Sequence, residues 1–205
     1  MNIFLLSDST DYEHHLVLQA EYHCDRHVVK MIAESTQLLV TALESPEWHS
    51  VSLELMTEYG MLCPPCKSLS VSQRNHPCAI WARAQLHTIY YLARLAVELC
   101  HEHQLRYPLS ARHAYFGWLE SLVDALESYA ESGGKVFKLP EKFPVAISDR
   151  PELRSFATPH QEAVTYYRSY YFRTKRHFAT WKNRGVPMWF LREQEDWQAK
   201  QHIAE

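Results

Sequence analysis

The 205-residue chain carries only 5 glycines against 13 histidines, 12 tyrosines and 6 tryptophans, with a formal net charge of -3. Glycine this scarce, with neither G-x-G-x-x-G nor G-x-x-x-x-G-K-[ST] present, removes the usual support for P-loop and Rossmann nucleotide binding and for a Gly-turned β barrel. The length fits one domain and the charge is not that of a basic nucleic-acid coat. No run reaches the roughly 18 apolar residues of a membrane span, and 5 cysteines without a secretory signal argue against a disulfide framework, so a cytoplasmic protein with no membrane partner is expected.

Asn2 to Leu6 is a short apolar run that predicts a strand or an extended arm. Ser7 to Asp11 offers N-caps for a helix over Tyr12 to Tyr22. Asp25 caps a second helix to about Leu43, whose apolar face is read as Val28, Val29, Ile32, Leu39, Val40 and Leu43. Residues 44 to 75 read as a connection with a short helix inside it, broken by Cys63-Pro64-Pro65-Cys66. Pro77 suits a first helical turn, because its missing N–H would have no helical partner there. It opens a predicted helix to about Gln104 with Ile80, Trp81, Ala84, Tyr91 and Leu95 available for burial. A helix from Ala111 to Ala130 should stop at Gly133-Gly134, and Lys135 to Pro159, with four prolines, reads as an irregular loop. A last long helix is expected from His160 to Trp181, followed by a charged tail. The predicted class is mainly α: a multi-helix single domain with a short N-terminal extended segment.

Four constellations could carry chemistry. On the second helix, His27, Lys30, Glu34 and Gln37 step by helical spacings and are read as one polar face, opposite Val28, Ile32 and Leu39, along about 15 Å of helix. As a catalytic face, Lys30 is the nucleophile or phosphate ligand, Glu34 the acid/base and His27 a proton carrier. The plainer alternative is a solvated face with i,i+4 ion pairs. Arg74-Asn75-His76-Pro77 stands before the long helix, where it can hold an anion, order a catalytic loop or simply cap. Two spacings admit zinc: His23 with His27, or Cys63 and Cys66 with His76 and Cys78. No other cofactor is expected.

The fourth constellation is the stretch 163–192, which has seven Arg or Lys residues and no Asp or Glu. Arg168, Arg173, Lys175, Arg176, Lys182 and Arg184 interleave there with aromatics that include Tyr170 and Trp181. Cations pair with phosphates and ring faces accept stacked bases, so these residues, with Arg26, Arg74 and Asn75, are candidate nucleic-acid contacts. The alternative is that the aromatics are core and the cations only solubilise the helix.

Met1-Asn2-Ile3-Phe4, the segment HCDRHVVKMIAESTQLL with Lys30, Glu34 and Gln37, and NHPCAIW from Asn75 to Trp81 resemble the pyrimidine-dimer DNA glycosylase (endonuclease V-like) superfamily of phages and bacteria. Glu98 and Arg106-Tyr107 also fit, and the resemblance covers about the first half. It implies a compact all-α fold acting on DNA, with an N-terminal α-amine attacking the sugar C1′ and a carboxylate assisting. Asn2 is not small, so Met1 is expected to stay, and His27 follows Arg26 where that carboxylate would be sought. Lys30 as the amine is our own reading rather than one carried by the resemblance. In these terms the chain is one domain: a family-like core over 1–131, a Pro-rich loop over 132–159, and a basic aromatic helix and tail over 160–205.

The expected function is that of a DNA-directed enzyme of glycosylase/AP-lyase type, using His27, Lys30, Glu34, Gln37 and His76. The alternatives are a non-enzymatic nucleic-acid binder of phage type and a metal-dependent hydrolase.

Overall fold

The computed structural model describes residues 2–147 and 157–203. The residue Met1 and the stretch 148–156, which includes Pro151 of the Pro-rich loop, lie outside the described residues. The fold is mainly α. Its elements are α1 (Tyr12–Tyr22), α2 (Asp25–Leu43), α3 (His49–Thr57), α4 (Val71–Arg74), α5 (Pro77–Ala82), α6 (Leu86–Arg106), α7 (Phe116–Ser132), β1 (Lys142–Pro144), β2 (Ala157–Pro159), α8 (His160–Lys175) and α9 (Met188–Ile203). Among the described residues no helix is long and apolar enough to cross a membrane.

Helix α6 is the central strut. It packs along α2 and also against α1 and α7, burying Ile89, Tyr91, Leu92, Leu95, Ala96 and Leu99. The arm Ile3–Leu6 is extended and buried, and it is held by a side chain rather than by a sheet. Gln19, itself fully buried, accepts the N–H groups of Leu6 (2.7 Å) and Ser7 (2.8 Å) through Oε1 and donates Nε2 to the Phe4 carbonyl. That satisfies backbone groups which burial would otherwise leave unpaired.

Several predicted boundaries move, each for a tertiary reason. The helix expected over 77–104 is two helices with a turn at Arg83 to Gln85. The Arg83 carbonyl is taken by the Trp48 indole N–H (2.6 Å) instead of a helical amide, and Thr88 Oγ1 caps the turn on Ala82 and Gln85. Ile80 and Ala84 consequently face solvent. Helix α8 ends at Lys175, not Trp181, because the chain turns to cap α2: Asp25 N–H donates to the Thr180 carbonyl (2.8 Å), and the Asp25 carboxylate accepts from Thr180 Oγ1 and Lys182 N–H. Asn183 completes the turn at φ 57°, a left-handed conformation that Asn tolerates better than most residues.

The charged tail is in fact helix α9, which anchors on α8 through Trp189 and Phe190. The Pro-rich loop contributes a small antiparallel pair, with Phe143 opposite Thr158. Helix α7 begins at Phe116, five residues later than the sequence reading placed it, and stops before Gly133 as expected.

Candidate nucleic-acid interface

Helix α2 is buried on two sides, which changes its chemistry. Val28, Ile32 and Leu39 are buried as expected, but His27, Met31 and Ser35 form a second buried stripe. His27 therefore does not belong to the polar face: only 5% of it is exposed. Val29, expected in the core, is 41% exposed instead. The His27 ring stacks on Phe4 at 4.8 Å between centroids and meets Tyr171 and Phe178 edge-on. Its Nδ1 has no hydrogen-bond partner among the described residues. Burial, then the neighbouring His23, Lys175 and Lys30, push its pKa down to about 3, so the imidazole is neutral.

The solvent face of α2 keeps the other three. The Lys30 side chain is 61% exposed and its Nζ lies 3.4 Å from Oε1 of the half-buried Glu34, while Gln37 is exposed one turn on. Helix α5 packs against α2. His76 caps α5 by accepting the Cys78 N–H (3.2 Å). The Cys78 thiol is buried, which pushes its pKa up to about 12, with a smaller contribution from the Glu34 charge.

The basic aromatic stretch divides into two populations. One is structural. Arg168 donates to the Leu6 carbonyl (2.8 Å) and pairs with Asp8 (2.9 Å), and Arg184 forks onto Glu102 (2.8 Å). Tyr170 and Trp181 are buried, the Trp181 indole donating to the Tyr22 carbonyl. Of these four, all expected as nucleic-acid contacts, the half-buried Arg168 and Arg184 are paired with carboxylates, and Tyr170 and Trp181 are buried. The other population is seated on rings: the exposed Arg26 over Phe178 (5.0 Å), the half-buried Lys175 over Tyr170 (5.4 Å), and the exposed Arg176 over Trp197 (4.8 Å) and Lys182 over Tyr107 (5.1 Å). None of these four has a carboxylate within salt-bridge distance among the described residues.

The His27–Tyr171 ring contact (5.0 Å) brings α2 against α8 in one corner, and the charges of Lys175 and Lys30 add to burial in keeping the His27 ring neutral. Arg173 is exposed on the same last turn of α8. Arg74 and Asn75 are exposed on the α4–α5 connection, where Arg74 holds the Leu69 carbonyl (3.2 Å) and Ser68 Oγ (3.0 Å).

The histidine zinc pair does not point outward as a half-site. His23 is buried with Nδ1 2.6 Å from the Gln19 carbonyl, and burial takes its pKa down to about 4. Cys63 is exposed, Cys66 half-buried and Cys78 buried, all as free thiols. Among the described residues no group of three or more His, Cys, Asp or Glu side chains is placed to hold a metal ion.

One feature under the corner was not legible in the sequence. Arg106, with no exposed surface, donates to Glu102 (2.6 Å), Asp25 (2.9 Å) and the Glu21 carbonyl (2.9 Å). Burial alone would raise the Glu102 carboxyl, but hydrogen bonds from Arg184 and Arg106 override it and hold it below the usual range. This network fixes the start of α2, the end of α6 and the 180–184 turn together. Comparison with protein-family models, with curated proteins and with solved structures gives no match in any of the three.

Proposed function

We propose that this chain binds DNA across the α2–α8 corner and acts there as a glycosylase/AP-lyase-like enzyme through Lys30 and Glu34. The observation that carries the reading is the seating of Arg26, Lys175, Arg176 and Lys182 on aromatic rings without carboxylate partners. A cation paired to a carboxylate is electrostatically spent, whereas one resting on a ring keeps its charge for a phosphate while its stem is held in place. The exposed amine of Lys30, beside a half-buried carboxylate, supplies the chemistry. Glu34 takes a proton from the Lys30 ammonium, the freed amine adds to the C1′ aldehyde of an abasic deoxyribose, and Glu34 returns the proton to the carbinolamine hydroxyl, which leaves as water as the protonated imine forms. His27 is too deeply buried to carry that proton and serves as a wall of the corner.

Fluorescence anisotropy with a short labelled duplex tests the first half. Lys175→Glu with Arg176→Glu should weaken binding by about tenfold or more, and unchanged affinity refutes the face. Borohydride trapping on an abasic duplex tests the second half. The adduct should form with the parent protein and vanish in Lys30→Ala while binding persists. An adduct that survives Lys30→Ala removes that residue from the role. Binding with neither adduct nor strand scission leaves a non-enzymatic DNA binder.

A further inference from the structure

The turn that follows α6 holds a leucine fully out in solvent. Tyr107 to Ser110 is a β-turn closed by the Ser110 N–H on the Tyr107 carbonyl (2.9 Å). Pro108 stands at its second position, where the fixed φ of proline favours the turn. The turn is braced from both sides. Gln104 Nε2 donates to the Pro108 carbonyl (3.3 Å), and Asn183 Nδ2 donates to the carbonyl of the buried Arg106 (3.3 Å). Leu109 occupies the tip and is fully exposed, with the exposed Pro108 beside it. The backbone therefore fixes the leucine in place while its side chain contributes no burial to the fold.

The tip lies next to the cations of the corner. Leu109 and Lys182 border the same small cavity of about 200 Å³. Lys182 sits over Tyr107, and its backbone N–H donates to the Asp25 carboxylate (2.9 Å), one residue before Arg26. Arg26 and Lys30 are in turn one helical turn apart on α2. The apolar tip thus continues the row of cations rather than standing on a separate face. A duplex held there by its phosphates offers an apolar side chain one matching target, the stacked bases. Leucine and proline are among the side chains that minor-groove-binding proteins insert between base steps, unstacking them and kinking the duplex.

We infer that Leu109 is a wedge that enters a base step of bound duplex DNA while Lys182 takes an adjoining phosphate, an inference that rests on the DNA reading of the α2–α8 corner. Short duplexes carrying 2-aminopurine at each successive position in turn test it with the full chain. The fluorescence of the probe rises when its neighbours unstack, and anisotropy on the same mixtures reports binding. At saturation the probe should brighten about twofold or more at one or more positions. Leu109→Ala should still bind with the salt dependence of the parent, because the phosphate contacts remain, and should lose that rise. Absence of binding by the parent chain refutes the DNA reading and the wedge with it. Binding without brightening at any position, or brightening that Leu109→Ala leaves unchanged, overturns the wedge alone.

Discussion

Three buried histidines make the fold acid-labile in a defined window. His15, His23 and His27 are 0%, 1% and 5% exposed, and burial lowers their pKa values to about 4, about 4 and about 3. An unfolded histidine titrates near 6.5. Below that pH the unfolded chain takes up protons that the folded chain refuses, so stability falls as pH falls from 6.5 toward the folded values. At pH 5 each group has about 1.5 units of unfolded-state protonation to its debit, about 2 kcal/mol, or about 6 kcal/mol for the three. That is a large share of the roughly 5–15 kcal/mol of a typical domain. Glu102 and Asp8, whose pKa values are lowered, lose their contributions only below about 4.5. The interval from 6.5 to 5 therefore isolates the histidines. Urea unfolding followed by circular dichroism at successive pH values is the assay. His27→Phe, which keeps the stack on Phe4, should reduce the loss between pH 7 and 5 by about 2 kcal/mol. A stability that is flat over that interval, or a His27→Phe slope equal to the parent's, would refute the burial argument.

Other consequences follow from single side chains. Arg106→Met removes three hydrogen bonds from a fully buried guanidinium and should cost about 3–5 kcal/mol, a fall of about 10 °C in thermal midpoint. Arg184→Met, at a position 28% exposed that leaves Glu102 paired with Arg106, should cost about 1 kcal/mol or less in the same scan. Equal losses for the two would show that the network is not organised around Arg106. Gln19→Leu strands the Leu6 and Ser7 amides and should cost about 2–5 kcal/mol in denaturant unfolding. A change below about 0.5 kcal/mol would mean that the arm is held by its apolar side chains alone.

The long helices were legible because their apolar period is local. Helix α2 from Asp25 to Leu43 and the stop of α7 before Gly133 need only spacing and turn chemistry. The breaks were not legible because long-range partners cause them. Trp48 reaching Arg83 splits α5 from α6, and Asp25 gripping Thr180 and Lys182 ends α8 early. His27 shows the limit of reading one helix alone. Its spacing with Lys30 is that of a shared face, but the arm and α8 cover its side of α2, so Phe4 and Tyr171 bury it. The basic stretch was visible as composition, yet nothing in composition separates Arg168 and Arg184, which find Asp8 and Glu102, from Lys175 and Arg176, which find rings and no carboxylate among the described residues. Glu102 and Arg106 form an ordinary i,i+4 pair in sequence. Only packing makes them the buried centre of a four-residue network with Asp25 and Arg184.

The salt dependence of DNA affinity tests the central claim most directly. Each phosphate neutralised contributes about 0.9 to the slope of log affinity against log salt. Four contacts from Arg26, Lys175, Arg176 and Lys182 give a slope of about -3 to -4, falling to about -2 in Lys175→Glu with Arg176→Glu. A slope near zero, or one that the double charge reversal leaves unchanged, would contradict a phosphate-binding face at the α2–α8 corner.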